Sequence, residues 1–176
     1  MRLYVCDSNN QYTLAPKNVV FKEAKRLGKQ KLVCKTFVNN SDSAMEAIGA
    51  QFLGLENEVI GCLFLNAQLK VLGWEILFSG TVDTAMLYPR LLVKKVLEYN
   101  AVKIILAHNH PSGASYPSQQ DKTLTGMVMQ SLDSINVELM DHLIIGDHVS
   151  SMADNGDIAV IRERISKSKY SHSIDN

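Results

Sequence analysis

The apolar run Val59-Ile60-Gly61-Cys62-Leu63-Phe64-Leu65 limits what this chain can fold into more than any other stretch. It is too short for a free-standing helix and too apolar for a strand with one wet face. It therefore predicts an interior strand buried on both sides. Val102 to Ala107 repeats the pattern and predicts a second one. Strands of that kind need layers above and below them, so amphipathic helices must lie elsewhere in the chain. Of the 176 residues 46% are hydrophobic, enough for the core of one ordinary domain.

The helices are visible in the pattern. Ser41, Asp42 and Ser43 are all N-cap types, and Glu46 lies three residues after Ser43, as in a capping box. Ala44, Ile48, Phe52 and Leu55 then recur at helical spacing, giving one apolar face. Pro89 suits the first residue of a second helix, Leu92, Val93, Val96 and Leu97 supply its buried stripe, and Asn100 can close it in a left-handed conformation. Ser118 to about Ile135 reads as a third, with Leu124, Val128 and Leu132 on one side. Asn66 to Gln68 turns the first run back into a strand from Val71 to Phe78, forming a hairpin, and Val137 to Ile145 is the last strand.

This order predicts a single α/β (α+β) domain over residues 37–157, a mixed β-sheet flanked by helices. Residues 1–36 read as an N-terminal extension: a short strand at Leu3 to Cys6, a turn at Asp7 to Gln11, and a basic helix from Pro16 to Lys31. Residues 158–176 read as a polar, locally basic tail, a short helix fraying into a mobile end.

Lys plus Arg and Asp plus Glu each number 18, so no net field draws a polyanion or an anionic membrane. Local association with DNA is left to residues 17–31 or 162–169. Cys6, Cys34 and Cys62 form no Cys-x-x-Cys pair and read as buried thiols in a reducing compartment. The first ten residues lack a secretory pattern, and no window approaches the roughly 20 apolar residues of a membrane span. A cytoplasmic protein is expected.

Chemistry concentrates after the second run. His108 and His110 are two residues apart, so from a strand end they project the same way and reach one ion. Pro111 and Gly113 turn the chain so that Asp121 can return with an oxygen ligand. Two imidazoles, a carboxylate and an open fourth position are the coordination of catalytic zinc. Such a site also needs a carboxylate that is not a ligand, to take a proton. Ser118 suits two roles, a donor to a developing oxyanion and an N-cap with Asp121 at the third helical position. Asp141 and His142 read as a hydrogen-bonded buried pair, with Asp141 orienting a ligand histidine as the alternative.

His108-x-His110, seven residues, Ser118, two residues and Asp121 are similar to the JAMM signature of JAB/MPN-type metalloproteases. The wider context resembles the RadC branch of that superfamily: Leu106 to Gly113, Pro117-Ser118-x-x-Asp121, Leu63-Phe64-Leu65, Phe78 to Thr81, Pro89-Arg90, Asn100-Ala101 and Asp141 to Gly146. The resemblance runs from about residue 40 to residue 157, and Asn66 and Leu91 depart from it outside the ligand positions. It implies a JAB/MPN-like fold, Zn²⁺ held by His108, His110 and Asp121, and Glu58 as general base, with Glu56 as second candidate. It further implies Ser118 stabilising a tetrahedral intermediate and a peptide or protein as substrate. The competing expectation is a catalytically silent, metal-stabilised module associated with DNA repair or recombination. Zinc deamination of nucleobases would need His-x-Glu and a later Pro-Cys-x-x-Cys, and the sequence has neither.

Overall fold

The two apolar runs are neighbouring interior strands of one five-stranded sheet. The computed structural model describes residues 2–33, 37–80 and 87–171. In chain order these form β1 (Tyr4–Cys6), β2 (Tyr12–Leu14), α1 (Lys17–Val33), α2 (Ser41–Ile48) and a 3-10 turn (Gly49–Phe52). There follow β3 (Glu58–Leu65), β4 (Val71–Gly80), α3 (Pro89–Glu98), β5 (Lys103–Asn109), α4 (Gln119–Asp133), β6 (Glu138–Ile145), β7 (Val149–Ser151) and α5 (Asp157–Ser171). The sheet order is β4-β3-β5-β6-β7, with β5 and β6 parallel and the other pairs antiparallel. A parallel pair needs a crossover, and α4 supplies it between β5 and β6.

The two-residue period of the strands divides the core. Ile60, Cys62, Phe64, Ile104, Leu106 and Ile144 cluster with Leu92 and Val96 of α3, Val128 and Leu132 of α4, and Ile158 and Ile161 of α5. Leu63, Leu65, Ile105, Ala107 and Leu143 cluster with Ala44, Ala47 and Ile48 of α2 and Phe52 of the 3-10 turn. The expected mixed sheet flanked by helices is the observed fold. Parity on β5 assigns His108, like Ile104 and Leu106, to the face that α4 covers.

Several expectations are corrected. The cap of α2 is Asn40, whose side chain accepts from the Ser43 amide while Ser43 reciprocates on the Asn40 amide; the Ser43–Glu46 box does not form. The helix stops at Ile48, and the 3-10 turn carries Phe52 on to the core. In α3, Pro89 is the first residue and Asn100 is left-handed at φ 49°, as expected, but Leu97 faces out. β5 runs through His108 to Asn109. The short strands β2 and β7 had no periodic signal to announce them. After residue 157 the chain is the helix α5, with Ile158 and Ile161 buried and Ile165 packed beside them; residues 172–176 lie outside the described ones. Cys62 is buried as expected, Cys6 is exposed, and Cys34 lies outside the described residues. The basic helix α1 is tied to the body by Gln51, whose amide donates to the Lys25 carbonyl at 3.0 Å. Among the described residues no helix is long and apolar enough to cross a membrane.

Candidate metal centre

The strand β5 and the helix α4 build the centre between them. His108, on the last turn-ward stretch of β5, is 1% exposed, and His110 follows just past the strand end, half-buried. Asp121 is the third residue of α4, whose N-cap is Ser118. The cap is reciprocal: Ser118 Oγ accepts the Asp121 amide at 3.1 Å, and the Ser118 amide donates to Asp121 Oδ2 at 2.6 Å. The same box that starts the helix thus holds Asp121 by one oxygen and leaves Oδ1 3.1 Å from His108 Nε2. Ligand atoms of His108, His110 and Asp121 all lie within 4.8 Å of one another.

Proton positions follow from the partners. Thr125 has one hydroxyl proton, and it goes to the Asp121 carbonyl at 2.6 Å. Its oxygen must then accept from His142 Nδ1 at 2.8 Å, which leaves His142 Nε2 as an acceptor. His108 Nδ1, 2.8 Å away, is therefore the donor to it. On the other side His110 Nδ1 donates to the Ala114 carbonyl at 2.8 Å. Both Nε2 atoms, 2.7 Å apart, carry lone pairs when the rings are neutral, and a carboxylate oxygen lies beside them. Three electron-rich atoms converge with no donor among them, an arrangement that a cation makes favourable. The donor set fits a divalent ion of zinc type.

Burial pushes the Asp121 carboxyl up, but a protonated His108 and the Ser118 hydrogen bonds outweigh it and hold the group well below the usual carboxylate range. With His108 neutral and its Nε2 bare, a bound cation would take over that role of positive charge. His142, fully buried, is pushed down to about 3, first by burial and then by the neighbouring His108, so it stays neutral and can accept.

A staple fixes His110. The His110 amide donates to the Ile145 carbonyl at 2.8 Å, the Asp147 amide to the Gly113 carbonyl at 2.8 Å, and the His148 amide to Ser115 Oγ at 2.8 Å. Gly113 is at φ 84°, and a Cβ at Gly146 would meet the backbone of Gly113 and Ala114. Glycine at both positions lets the loop lie against the turn after β6.

Glu58 is the first residue of β3 and half-buried. The β3–β5 ladder ends with Ile60 opposite His108; Glu58 lies two residues before Ile60 on β3 and shares its strand parity, as His110 shares that of His108. Glu56 is exposed, in the loop before the strand. The pair Asp141 and His142 divides across the sheet. His142, opposite Leu106, reaches the centre. Asp141 accepts from the amides of His142 and Ala153 and from the Ser151 hydroxyl, at 2.6 to 2.9 Å, with none of these bonds going to a ligand ring. Burial raises its carboxyl despite those donors.

Sequence reasoning missed Thr125 and Asn109. Thr125 lies four residues after Asp121, on the same side of α4, and that spacing is a usable signal. Asn109 alternates with the ligands, so parity turned attention away from it. Its side chain is buried, accepts from the Val59 amide at 2.9 Å and donates to the Asn57 carbonyl at 3.0 Å.

Comparison with known proteins agrees with this architecture. The profile of the RadC-like JAB domain matches residues 38–157. A UPF0758 protein of Pseudomonas fluorescens is 38% identical over 154 residues, covering 84% of this chain and 69% of the relative. One from Alcanivorax borkumensis is 44% identical over 110 residues, covering 62% and 49%. One from Azotobacter vinelandii is 50% identical over 101 residues, covering 57% and 45%. The chain thus spans about half to two thirds of the length of the curated relatives it matches. With the matched segment containing β3, β5, α4 and every residue of the candidate metal centre, the chain belongs to the RadC-like JAB domain family.

Proposed function

We propose that this chain is a zinc-dependent hydrolase of JAMM type, a metallopeptidase or isopeptidase. The observation that carries the reading is the convergence of two lone-pair imidazole nitrogens and a carboxylate within 4.8 Å, each locked by a partner behind it. His108, His110 and Asp121 would hold the ion, Asp121 through the oxygen its cap leaves free. When bound, a divalent ion there acidifies water and polarises a carbonyl.

The remaining chemistry belongs to the chain. Glu58, the first residue of β3 and two before the last β3–β5 pair at Ile60 and His108, takes a proton from water and later returns it to the leaving amine. Ser118 Oγ already accepts from the Asp121 amide, and its own proton is available to a developing oxyanion at the mouth of the site. His142 and Thr125 contact no substrate in this scheme. They keep His108 in the Nδ1–H tautomer.

The test is product mapping. Zinc-loaded wild type and Glu58→Gln are incubated with a peptide library and new termini are identified by mass spectrometry. The expected result is cleavage by wild type and a loss of about 100-fold or more in the variant. Equal cleavage by both removes Glu58 as base. Zinc retained by a wild type that cleaves nothing favours the catalytically silent module.

A further inference from the structure

We infer that Asn109 is a positioning residue that sets Glu58 against the metal-ligand strand. The inference rests on the proposed role of Glu58 as base. Asn109 sits between the two ligand histidines and is 6% exposed. A buried carboxamide must find partners for both its ends, and this one spends them on Val59 of β3 and on Asn57 just before it. Its Oδ1 accepts from the Val59 amide at 2.9 Å, and its Nδ2 donates to the Asn57 carbonyl at 3.0 Å. Those two groups belong to the peptide units on either side of Glu58. One side chain therefore grips the backbone before and after the base.

The location gives the grip its meaning. The backbone ladder between β3 and β5 has Ile60 opposite His108 as its last pair. Beyond that pair the carboxamide of Asn109 takes the place of the next rungs. Glu58 Cα is thereby tied to the strand that carries His108 and His110, with Asn109 as the tie. An alanine at 109 frees both peptide units. An aspartate keeps the shape and the acceptor for Val59, but sets a carboxylate oxygen against the Asn57 carbonyl. In either case His108, His110 and Asp121 keep their own partners: His142, Ala114 and Ser118.

The test separates position from activity. Co²⁺ is the probe, and the paramagnetic shifts of the Glu58 side-chain protons are read by NMR in wild type, Asn109→Ala and Asn109→Asp. The expected result is a defined shift in wild type that shrinks and broadens in both variants, with Co²⁺ affinity unchanged. Where product mapping supplies a cleaved peptide, kcat falls about tenfold or more with KM unchanged, since a small displacement of a reacting group is costly. If the alanine variant does not fold, the isosteric aspartate variant gives the same reading. Variant shifts that match wild type overturn the inference and leave the proposed function standing. Wild-type Glu58 protons unmoved by Co²⁺ overturn Glu58 as base, and this inference with it.

Discussion

The single hydroxyl proton of Thr125 decides what His108 offers a metal. Because it goes to the Asp121 carbonyl, His142 must donate to Thr125 and accept from His108, and His108 Nε2 is left bare. Thr125→Val keeps the shape and deletes that acceptor. It should weaken zinc binding by roughly 10-fold, read by competition with a chelator. Asp141 belongs to a different account: its carboxylate holds the His142 and Ala153 amides and the Ser151 hydroxyl. Asp141→Ala should cost on the order of 3 kcal/mol in urea unfolding, since it strands buried donors, and leave zinc affinity unchanged. An equal loss of affinity would make it an orienting residue after all. At this scale the convergence of His108, His110 and Asp121 was legible because His-x-His, Ser and Asp carry chemistry in their spacing. That Asp141 and His142 part company was also readable, because adjacent strand residues face opposite ways. Thr125 and Asn109 were not singled out, since hydrogen bonds that support a ligand leave no mark in residue type.

Elements were legible where burial imposes a period. β3, β5, α3 and α4 fall where the apolar patterns place them, because each spends one face or two in the core. The cap of α2 was misplaced by three residues, since Asn40, Ser41, Asp42 and Ser43 are all good caps and only the docking of Ala44, Ala47 and Ile48 selects among them. Three-residue strands such as β2 and β7 are too short to show alternation. α5 was read as a short helix fraying into a mobile tail because its polar residues outnumber Ile158, Ile161 and Ile165; the helix runs to Ser171. Yet these three complete the cluster beneath α4. Ile161, 8% exposed, is the direct check: Ile161→Ala should lower unfolding free energy by roughly 2–4 kcal/mol, whereas a mobile tail would show no change by urea titration.

For the whole molecule, the sheet and its crossover bring separate stretches together: the end of β5 delivers His108 and His110, and α4 returns Asp121 from the far side of the loop, while β3, paired with β5, carries the proposed base Glu58 as its first residue. The most direct test of the metal centre is the zinc content of purified wild type, His108→Ala, Asp121→Ala and Glu58→Gln, each dialysed against a weak chelator and measured by elemental analysis. The predicted result is one zinc per chain in wild type and Glu58→Gln, and loss of zinc in His108→Ala and Asp121→Ala. Zinc held equally by His108→Ala and wild type would contradict it.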